Sequence, residues 1–226
     1  RALNMALDKD IIAQKVMGQG QRAAWVISQP EIGGVKLHAP EYASWPLEKR
    51  IAEAKKLLAE AGFGPEHPLS LNLLYNTFET HQRIAIAASS MWKKNLGVEA
   101  KLQNQEWKTM LDTMHTGNFD VVRYAWIADY DDASSFLNIF RTGDSENTTK
   151  YSNPAFDEAM RNAAKANSLE ERGKYYQQAE DLLGDDVPAI PVYHYVRTHL
   201  VKPWVGGFAP DNRGNYYTKD MYIKKH

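Results

Sequence analysis

The sequence predicts an α/β protein, in which helices cover a sheet of parallel strands. Between residues 69 and 126 the apolar residues switch repeatedly between the alternation of a strand and the 3.6-residue repeat of a helix. The resulting order is strand, helix, strand, helix, strand. Crossovers of this length connect parallel neighbours, because antiparallel strands need only a short turn. A hydrophobic content of 43% with 24% charged residues favours a globular fold over disorder.

The first part of the chain predicts two helices separated by a long connection. Asp8 is a suitable N-cap for the opening helix, and Gly18 is a typical residue for its end. Residues 19–45 show no clear period, but their large aromatic residues predict an ordered loop. A second helix is predicted over 47–61, where apolar residues recur at helical spacing until Gly62.

The alternating region contains the elements that would position a site. Strands are predicted at 69–76, 98–103 and 119–126, and helices at 84–96 and 107–114. The last of these strands is apolar on both faces, which is typical of a strand buried within a sheet. Ligands of parallel α/β sheets bind outside the carboxyl ends of the strands. The stretch that follows residue 126 is therefore the first candidate for a binding site.

The last part of the chain predicts two more helices and then a change of texture. The helices cover 154–166 and 168–183, and Ser168 and Glu171 have the spacing of a capping box. Residues 189–201 are strand-like, and the remainder mixes Gly, Pro, Asn and Tyr without a clear period.

The composition argues against several classes of function. A net charge of −1 and a pI of about 6.7 argue against nucleic-acid binding, which selects a basic face. The absence of cysteine excludes disulfides, thiolate metal sites and cysteine nucleophiles, and the seven histidines include no HxxxH pair. No apolar run reaches the ~18 residues that span a bilayer. Nucleotide-binding glycine patterns and nucleophile elbows are also missing, so the sequence predicts neither a cofactor nor a metal.

Three aspartates, Asp129, Asp131 and Asp132, follow the last predicted strand of the sheet. A glycosidase-type carboxylate pair must converge on one bond, which sequence neighbours rarely do. A calcium loop needs a glycine and a distant glutamate that this stretch lacks. Asp131 and Asp132 precede "ASSFLNIF", so they are predicted to cap a short helix. For Asp129 the sequence leaves a loop hydrogen bond and a ligand contact equally open.

Arg123 lies on the same face of the predicted strand as Asp129, because alternate residues of a strand share a face. An extended chain would separate the two by about 20 Å, too far for a salt bridge. The pair would suit a short extended zwitterion, with its ammonium at Asp129 and its carboxylate at Arg123. The alternative is that Arg123 pairs with a structural acid such as Asp120 or Asp112.

Motifs along nearly the whole chain resemble one protein family. They are "RALNMALDKDII", "AKKLLAEAGF", "LLYNT", "IAASSMWKKNLGV", "NQEWKTMLDT", "FDVVRYAWIADYDDASSFL", "YSNPAFDEAM", "PAIPVYHYV" and "LVKPWVGG". Their order and spacing together are far more specific than any single motif. The chain resembles the C-terminal part of the periplasmic oligopeptide-binding proteins, family 5 of the solute-binding receptors of ABC transporters.

The resemblance implies an α/β lobe, a mixed sheet flanked by helices, that is a fragment of a two-lobed receptor. Residues 1–188 would form the C-terminal peptide-binding lobe, and residues 189–226 would return to the N-terminal lobe and add strands to it. Because the sequence opens at Arg1 inside a predicted helix, we interpret it as a piece of a longer protein.

The resemblance also implies a binding site for a peptide. Asp129 matches the aspartate that binds the peptide α-ammonium group, and Ala125 and Ile127 match positions whose main-chain groups pair with the peptide. Further positions line the cleft, some serving the peptide's carboxyl end, and are matched by Trp107, Arg123, His81 and Tyr195. Two positions depart from the pattern. Met114 replaces an arginine of some relatives, which would alter the preferred peptide length, and Ile127 replaces a cysteine of close relatives.

The predicted function is the substrate-binding component of an ABC importer, a receptor without enzymatic activity that encloses short peptides as extended strands. It would be a periplasmic monomer of a Gram-negative bacterium, with the membrane permease subunits as partners. One alternative is a sibling receptor for dipeptides, murein peptides or nickel chelates. Others are a hydrolase that uses Asp129, Asp131 and Asp132, and a chaperone or adhesion role on the same scaffold.

Overall fold

A three-stranded parallel sheet with helices on both faces is followed by a pair of long helices and an irregular C-terminal segment. The computed structural model describes residues 1–211 and 213–225. The helices are α1 (Ala2–Met5), α2 (Lys9–Ile11), α3 (Leu47–Glu60), α4 (Glu79–Leu96), α5 (Trp107–Thr116), α6 (Ser134–Leu137), α7 (Pro154–Lys165) and α8 (Leu169–Asp186). The strands are β1 (Arg22–Ala23), β2 (Ser70–Asn76), β3 (Glu99–Gln105), β4 (Val121–Val122), β5 (Tyr193–His194), β6 (Val205–Gly206) and β7 (Tyr222–Ile223). A π-helix at Ile12–Met17 extends α2, and short 3-10 turns lie at Ile32–Gly34, Glu41–Ser44, Asn138–Phe140 and Thr218–Asp220.

The central sheet has the strand order β3-β2-β4, and both of its pairs are parallel. Leu73 of β2 packs in the large cluster on the α4 face of the sheet. Its neighbour Leu74 packs on the opposite face, against Met110 and Met114 of α5. Burial of β2 on both faces is expected for the central strand of a covered parallel sheet. The predicted parallel order of residues 69–126 is confirmed.

Among the described residues, antiparallel strand pairing occurs in two small separate ladders, besides an isolated bridge between Gly64 and His67. β1 pairs with β5, and β6 pairs with β7. The predicted α/β lobe is confirmed, but the predicted mixed sheet is wrong for the described residues, because parallel and antiparallel strands lie in separate sheets. No described helix combines the length and the apolar character needed to cross a membrane.

The signals predicted at the N-terminal helix are confirmed. The Asp8 carboxylate accepts a hydrogen bond from the main-chain N–H of Ile11 at 3.0 Å. Gly18 ends the helical segment with a φ of +67°, a left-handed conformation that glycine adopts without strain. The loop predicted at 19–45 is ordered and contains β1.

The strand predicted at 119–126 is confirmed only at Val121–Val122, and these residues are half-buried, not buried as predicted. The main-chain N–H of Arg123 still donates to the Leu74 carbonyl at 2.7 Å, but the regular strand ends at Val122. β4 lies at the edge of the sheet, and Ile127 beyond it is 65% exposed. Its apolar side chains therefore line an open groove instead of a core. The strand-like pattern at 189–201 likewise shortens to β5, because the described chain offers it only the two-residue partner β1.

A second hydrophobic cluster joins α6, α7 and α8. Phe136, Phe156 and Tyr176 are buried in it. The helices predicted at 154–166 and 168–183 are confirmed as α7 and α8, although α8 continues to Asp186. This cluster connects α8 to the stretch that follows β4.

Candidate functional site

The carboxyl ends of the three parallel strands meet at one edge of the sheet, and the predicted site residues surround that edge. The chain leaves it from β4 through residues 123–129. An open cavity of about 1090 Å³ extends from this segment to residues 187–197. Its wall includes Arg123, Ala125, Ile127 and Tyr195. Asp129, His81 and Trp107 are not among the described residues that line this cavity.

Arg123 is held by two tyrosines instead of an acid. Its Nη2 donates hydrogen bonds to the hydroxyl of Tyr195 and, at 3.3 Å, to that of Tyr193. Within the described residues Arg123 forms no ion pair, and Asp120 accepts hydrogen bonds from β2. Pairing of Arg123 with Asp120 or Asp112 is therefore wrong. The guanidinium group keeps further N–H donors for a ligand.

His81 lies in the first turn of α4, beside the end of β2. Its Nδ1 is 2.7 Å from Oδ1 of Asn76. Burial of the ring, together with the positive charge of Arg123, lowers the pKa of His81 to about 4. The imidazole is therefore neutral at pH 7, with Nδ1 as donor to Asn76 and Nε2 as acceptor. His81 thus lies close enough to Arg123 to respond to its charge, and Arg123 in turn contacts Tyr195.

Trp107 opens α5 and lies at the surface of the protein, not in the core. It is 44% exposed, and its ring stacks on Tyr124 with centroids 6.1 Å apart and planes 8° apart. The core stripe of α5 consists of Met110 and Met114 instead. Met114, which the resemblance marked as a departure from the family pattern, is buried.

The main chain between Arg123 and Asp129 has unused hydrogen-bonding groups. After the Arg123 N–H, no main-chain N–H or C=O of residues 124–128 is paired with any described residue. Ala125 is half-buried and Ile127 is exposed. Main-chain groups are nearly always paired in folded proteins, and an unpaired row beside a sheet is a template for an added strand. Whether a peptide pairs with Ala125 and Ile127 stays a prediction.

Asp129 is exposed, and its main chain is fixed while its carboxylate is open. Its N–H donates to Ser135 Oγ at 2.8 Å, and its carbonyl accepts a hydrogen bond from Arg213. No described residue forms a hydrogen bond or ion pair with the carboxylate of Asp129. The hydrogen bonds of this loop therefore involve the main chain of Asp129, and a ligand contact of its side chain stays a prediction.

Asp131 and Asp132 hold the stretch in place in different ways. Asp132 caps α6 as predicted, because its Oδ1 accepts from the Ser134 N–H at 2.9 Å. Burial opposes ionisation of Asp132, but hydrogen bonds from Ser134 and Tyr176 outweigh it and lower the pKa. The predicted capping by Asp131 is wrong, since its Oδ1 accepts from the Gly33 N–H at 2.9 Å. Both acids are thus engaged in structure, which weakens the hydrolase interpretation.

Several residues of the site could not be picked out as functional from the sequence. They are Tyr193, Tyr124, Tyr176 and Glu180. A signal existed only for Tyr193, which alternates with Tyr195 in "VYHY" and therefore shares its side of the chain.

Gly33 is where the loop before α3 touches the aspartate cluster, and it supplies a test of that contact. Its φ is +59°, and an added Cβ would lie 3.0 Å from the Asp131 carbonyl oxygen and 3.2 Å from the Asp132 Cα. We expect Gly33→Ala to destabilise the chain in urea unfolding by about 1–3 kcal/mol more than Gly20→Ala does. Gly20 is the matched control, because its φ is also positive at +93° but nothing lies within 4 Å. Equal losses would show that the contact is loose.

An open groove at the carboxyl ends of a parallel sheet lies beside main chain that pairs with no described residue, and this geometry suits the class of ligand-binding lobes. The family model "Bacterial extracellular solute-binding proteins, family 5 Middle" matches residues 1–148. The chain belongs to this family of solute-binding proteins.

Among curated relatives, the "Periplasmic oligopeptide-binding protein OppA" of Escherichia coli is 51% identical over 226 residues. The match covers 100% of this chain and 42% of that protein. The chain thus spans less than half the length of this relative.

Solved structures of similar proteins agree with the fold. The E. coli "murein tripeptide binding protein MppA" has a TM-score of 0.90 at 43% identity, over 100% of this chain and 44% of that one. Haemophilus influenzae OppA in complex with RPPGFSPFR has a TM-score of 0.88 at 43% identity, over 99% of this chain and 44% of that one.

Proposed function

We propose that this chain is the C-terminal lobe of the substrate-binding component of an ABC importer, a receptor that encloses short peptides as extended strands. The peptide α-ammonium group binds Asp129, and its carboxyl end lies towards Arg123. The receptor acts in the periplasm of a Gram-negative bacterium and delivers peptides to membrane permease subunits. The support is the family, the peptide-binding names of its relatives and the geometry of residues 123–129.

The observation that carries the proposal is the main chain of residues 124–128, which pairs with no described residue. An extended peptide beside it would complete these hydrogen bonds as an added strand. Main-chain bonds are the same for every peptide sequence, so they supply affinity without selecting side chains. A receptor for mixed peptides needs this property.

The two ends of residues 123–129 have opposite charges, which would fix the register of the peptide. The Asp129 carboxylate forms no hydrogen bond or ion pair with a described residue, which would allow it to bind an ammonium group. Arg123, oriented by Tyr193 and Tyr195, offers donors to a carboxylate. A hydrogen bond to a charged group contributes about 1.5–3 kcal/mol net, and more where water is excluded.

The C-terminal segment supports the division of the chain at residue 188. In residues 189–226 large apolar side chains are exposed, among them Leu200 at 100% and Ile223 at 67%. Exposed apolar patches of this kind mark surfaces that another unit covers. The proposed occupant is the N-terminal lobe, to which residues 189–226 return.

Mass spectrometry of small molecules released from the natively purified complete receptor tests the proposal. We expect short peptides with free amino groups. Recovery of solutes without an amine, or of nickel chelates, would instead favour a sibling receptor of the same family.

Turnover assays separate the receptor from a hydrolase. Incubation of the complete protein with peptides should return them intact, because Asp131 and Asp132 are both engaged in structural hydrogen bonds. Cleavage products that disappear in an Asp129→Asn variant would establish the enzyme instead.

A further inference from the structure

One face of α8 carries three polar side chains at one-turn intervals, and all three are directed at the turn that carries Asp129 or at the loop beside it. They are Arg172, Tyr176 and Glu180, spaced four residues apart. We infer that this stripe is the device that positions the Asp129 turn for amine binding, with Tyr176 as its central positioning residue. The inference rests on the proposed function.

The first connection runs through Asp132. The Tyr176 hydroxyl donates to Asp132 Oδ1 at 2.5 Å, and Arg172 Nη1 lies 3.4 Å from Oδ2. Tyr176 is only 3% exposed, so water does not easily take the place of its hydroxyl group. Loss of this hydrogen bond therefore costs free energy. Asp132 is therefore fixed at both oxygens by α8.

The second connection links Asp132 to Asp129 through a closed turn. Asp132 Oδ1 also accepts from Ser134 N–H and Oγ, and its carbonyl accepts from the Ser135 N–H at 3.0 Å. Ser135 Oγ then accepts from the Asp129 N–H, and the Ser135 carbonyl accepts from Trp126 Nε1 at 2.7 Å. A displacement of Asp132 is transmitted to Asp129 through these short bonds.

The third connection holds the neighbouring loop. Glu180 is 3% exposed, and its two carboxylate oxygens accept from the N–H groups of Ile27 and Ser28 at 2.9 and 2.8 Å. The same loop reaches Asp131 through the Gly33 N–H. Side chains of α8 thus contact the turn directly, through Asp132. They also hold the loop that contacts the turn through Asp131.

Preorganised groups bind better than mobile ones, because no ordering cost remains to be met when the ligand arrives. The open carboxylate of Asp129 gains this advantage only if its turn is rigid. Among the described residues, side chains of α8 supply that rigidity. No residue of α8 itself belongs to the described cavity wall, which the chain reaches at Val187.

Calorimetry on the complete receptor with trialanine and N-acetyl-trialanine tests the inference. We expect Tyr176→Phe to weaken trialanine binding about tenfold and N-acetyl-trialanine binding less than twofold. Tyr175→Phe is the matched control, since Tyr175 is the adjacent residue of α8 and forms no hydrogen bond among the described residues. In an Asp129→Asn background Tyr176→Phe should cause no further loss, because both act on the same contact.

Equal losses for the two peptides, additive losses with Asp129→Asn, or a Tyr176→Phe effect no larger than that of Tyr175→Phe would each overturn the inference alone. A failed ammonium contact has a different signature, since Asp129→Asn by itself would then leave trialanine affinity unchanged. That result would overturn the proposed site and the inference with it.

Discussion

Replacement of Asp129 by asparagine in the complete receptor should weaken the binding of a free-amine peptide at least a hundredfold. The exchange keeps the size of the side chain but removes the charge that the ammonium group meets. An ammonium left without a counter-charge in a closed cleft costs about 3–5 kcal/mol, by analogy with broken buried ion pairs. Isothermal calorimetry with trialanine measures the change.

Asp112→Asn is the matched control for this substitution. Asp112 is also exposed, on α5, and its carboxylate accepts no hydrogen bond from a described residue. Its replacement should leave affinity within about twofold. An affinity that Asp129→Asn does not change would remove Asp129 from the site.

The 226-residue chain on its own should bind the same peptide only at a dissociation constant of about 1 mM or weaker. A single lobe leaves the peptide's charged ends and its second edge in water, where each hydrogen bond contributes little. Titration of the isotope-labelled chain followed by NMR measures this directly. Micromolar affinity would show that one lobe suffices and that closure adds little.

The repeat of the apolar residues was enough to predict the sheet. In 69–105 both strands and the helix that connects them were predicted from periodicity. The structure agrees, since β2 is buried on both faces and pairs with β3. The same criterion failed at 123–126. There the apolar side chains serve a groove, and periodicity does not distinguish a groove wall from a core.

Of the site, the sequence alone led to Asp129 and Arg123 as a pair of charges, and the resemblance added the rest. Neither the sequence nor the resemblance predicted the contacts that hold the turn of Asp129 in place. Glu180 and Ile27 are 153 positions apart, and Tyr176 and Asp132 are 44 apart. Such contacts depend on how whole helices and loops pack together, so no local sequence pattern predicts them. The assignment of Asp131 as a cap was wrong for this reason, because its partner Gly33 lies 98 positions away.

The main chain of residues 124–128, which pairs with no described residue, also creates a risk of aggregation. A sheet margin with free N–H and C=O groups accepts any extended polypeptide, including a strand from an identical molecule or from an unfolded neighbour. Under the proposed function, an edge that binds peptides of any sequence also exposes the protein to association with its own copies. Closure of the proposed second lobe over this edge would then limit aggregation as well as retain the peptide.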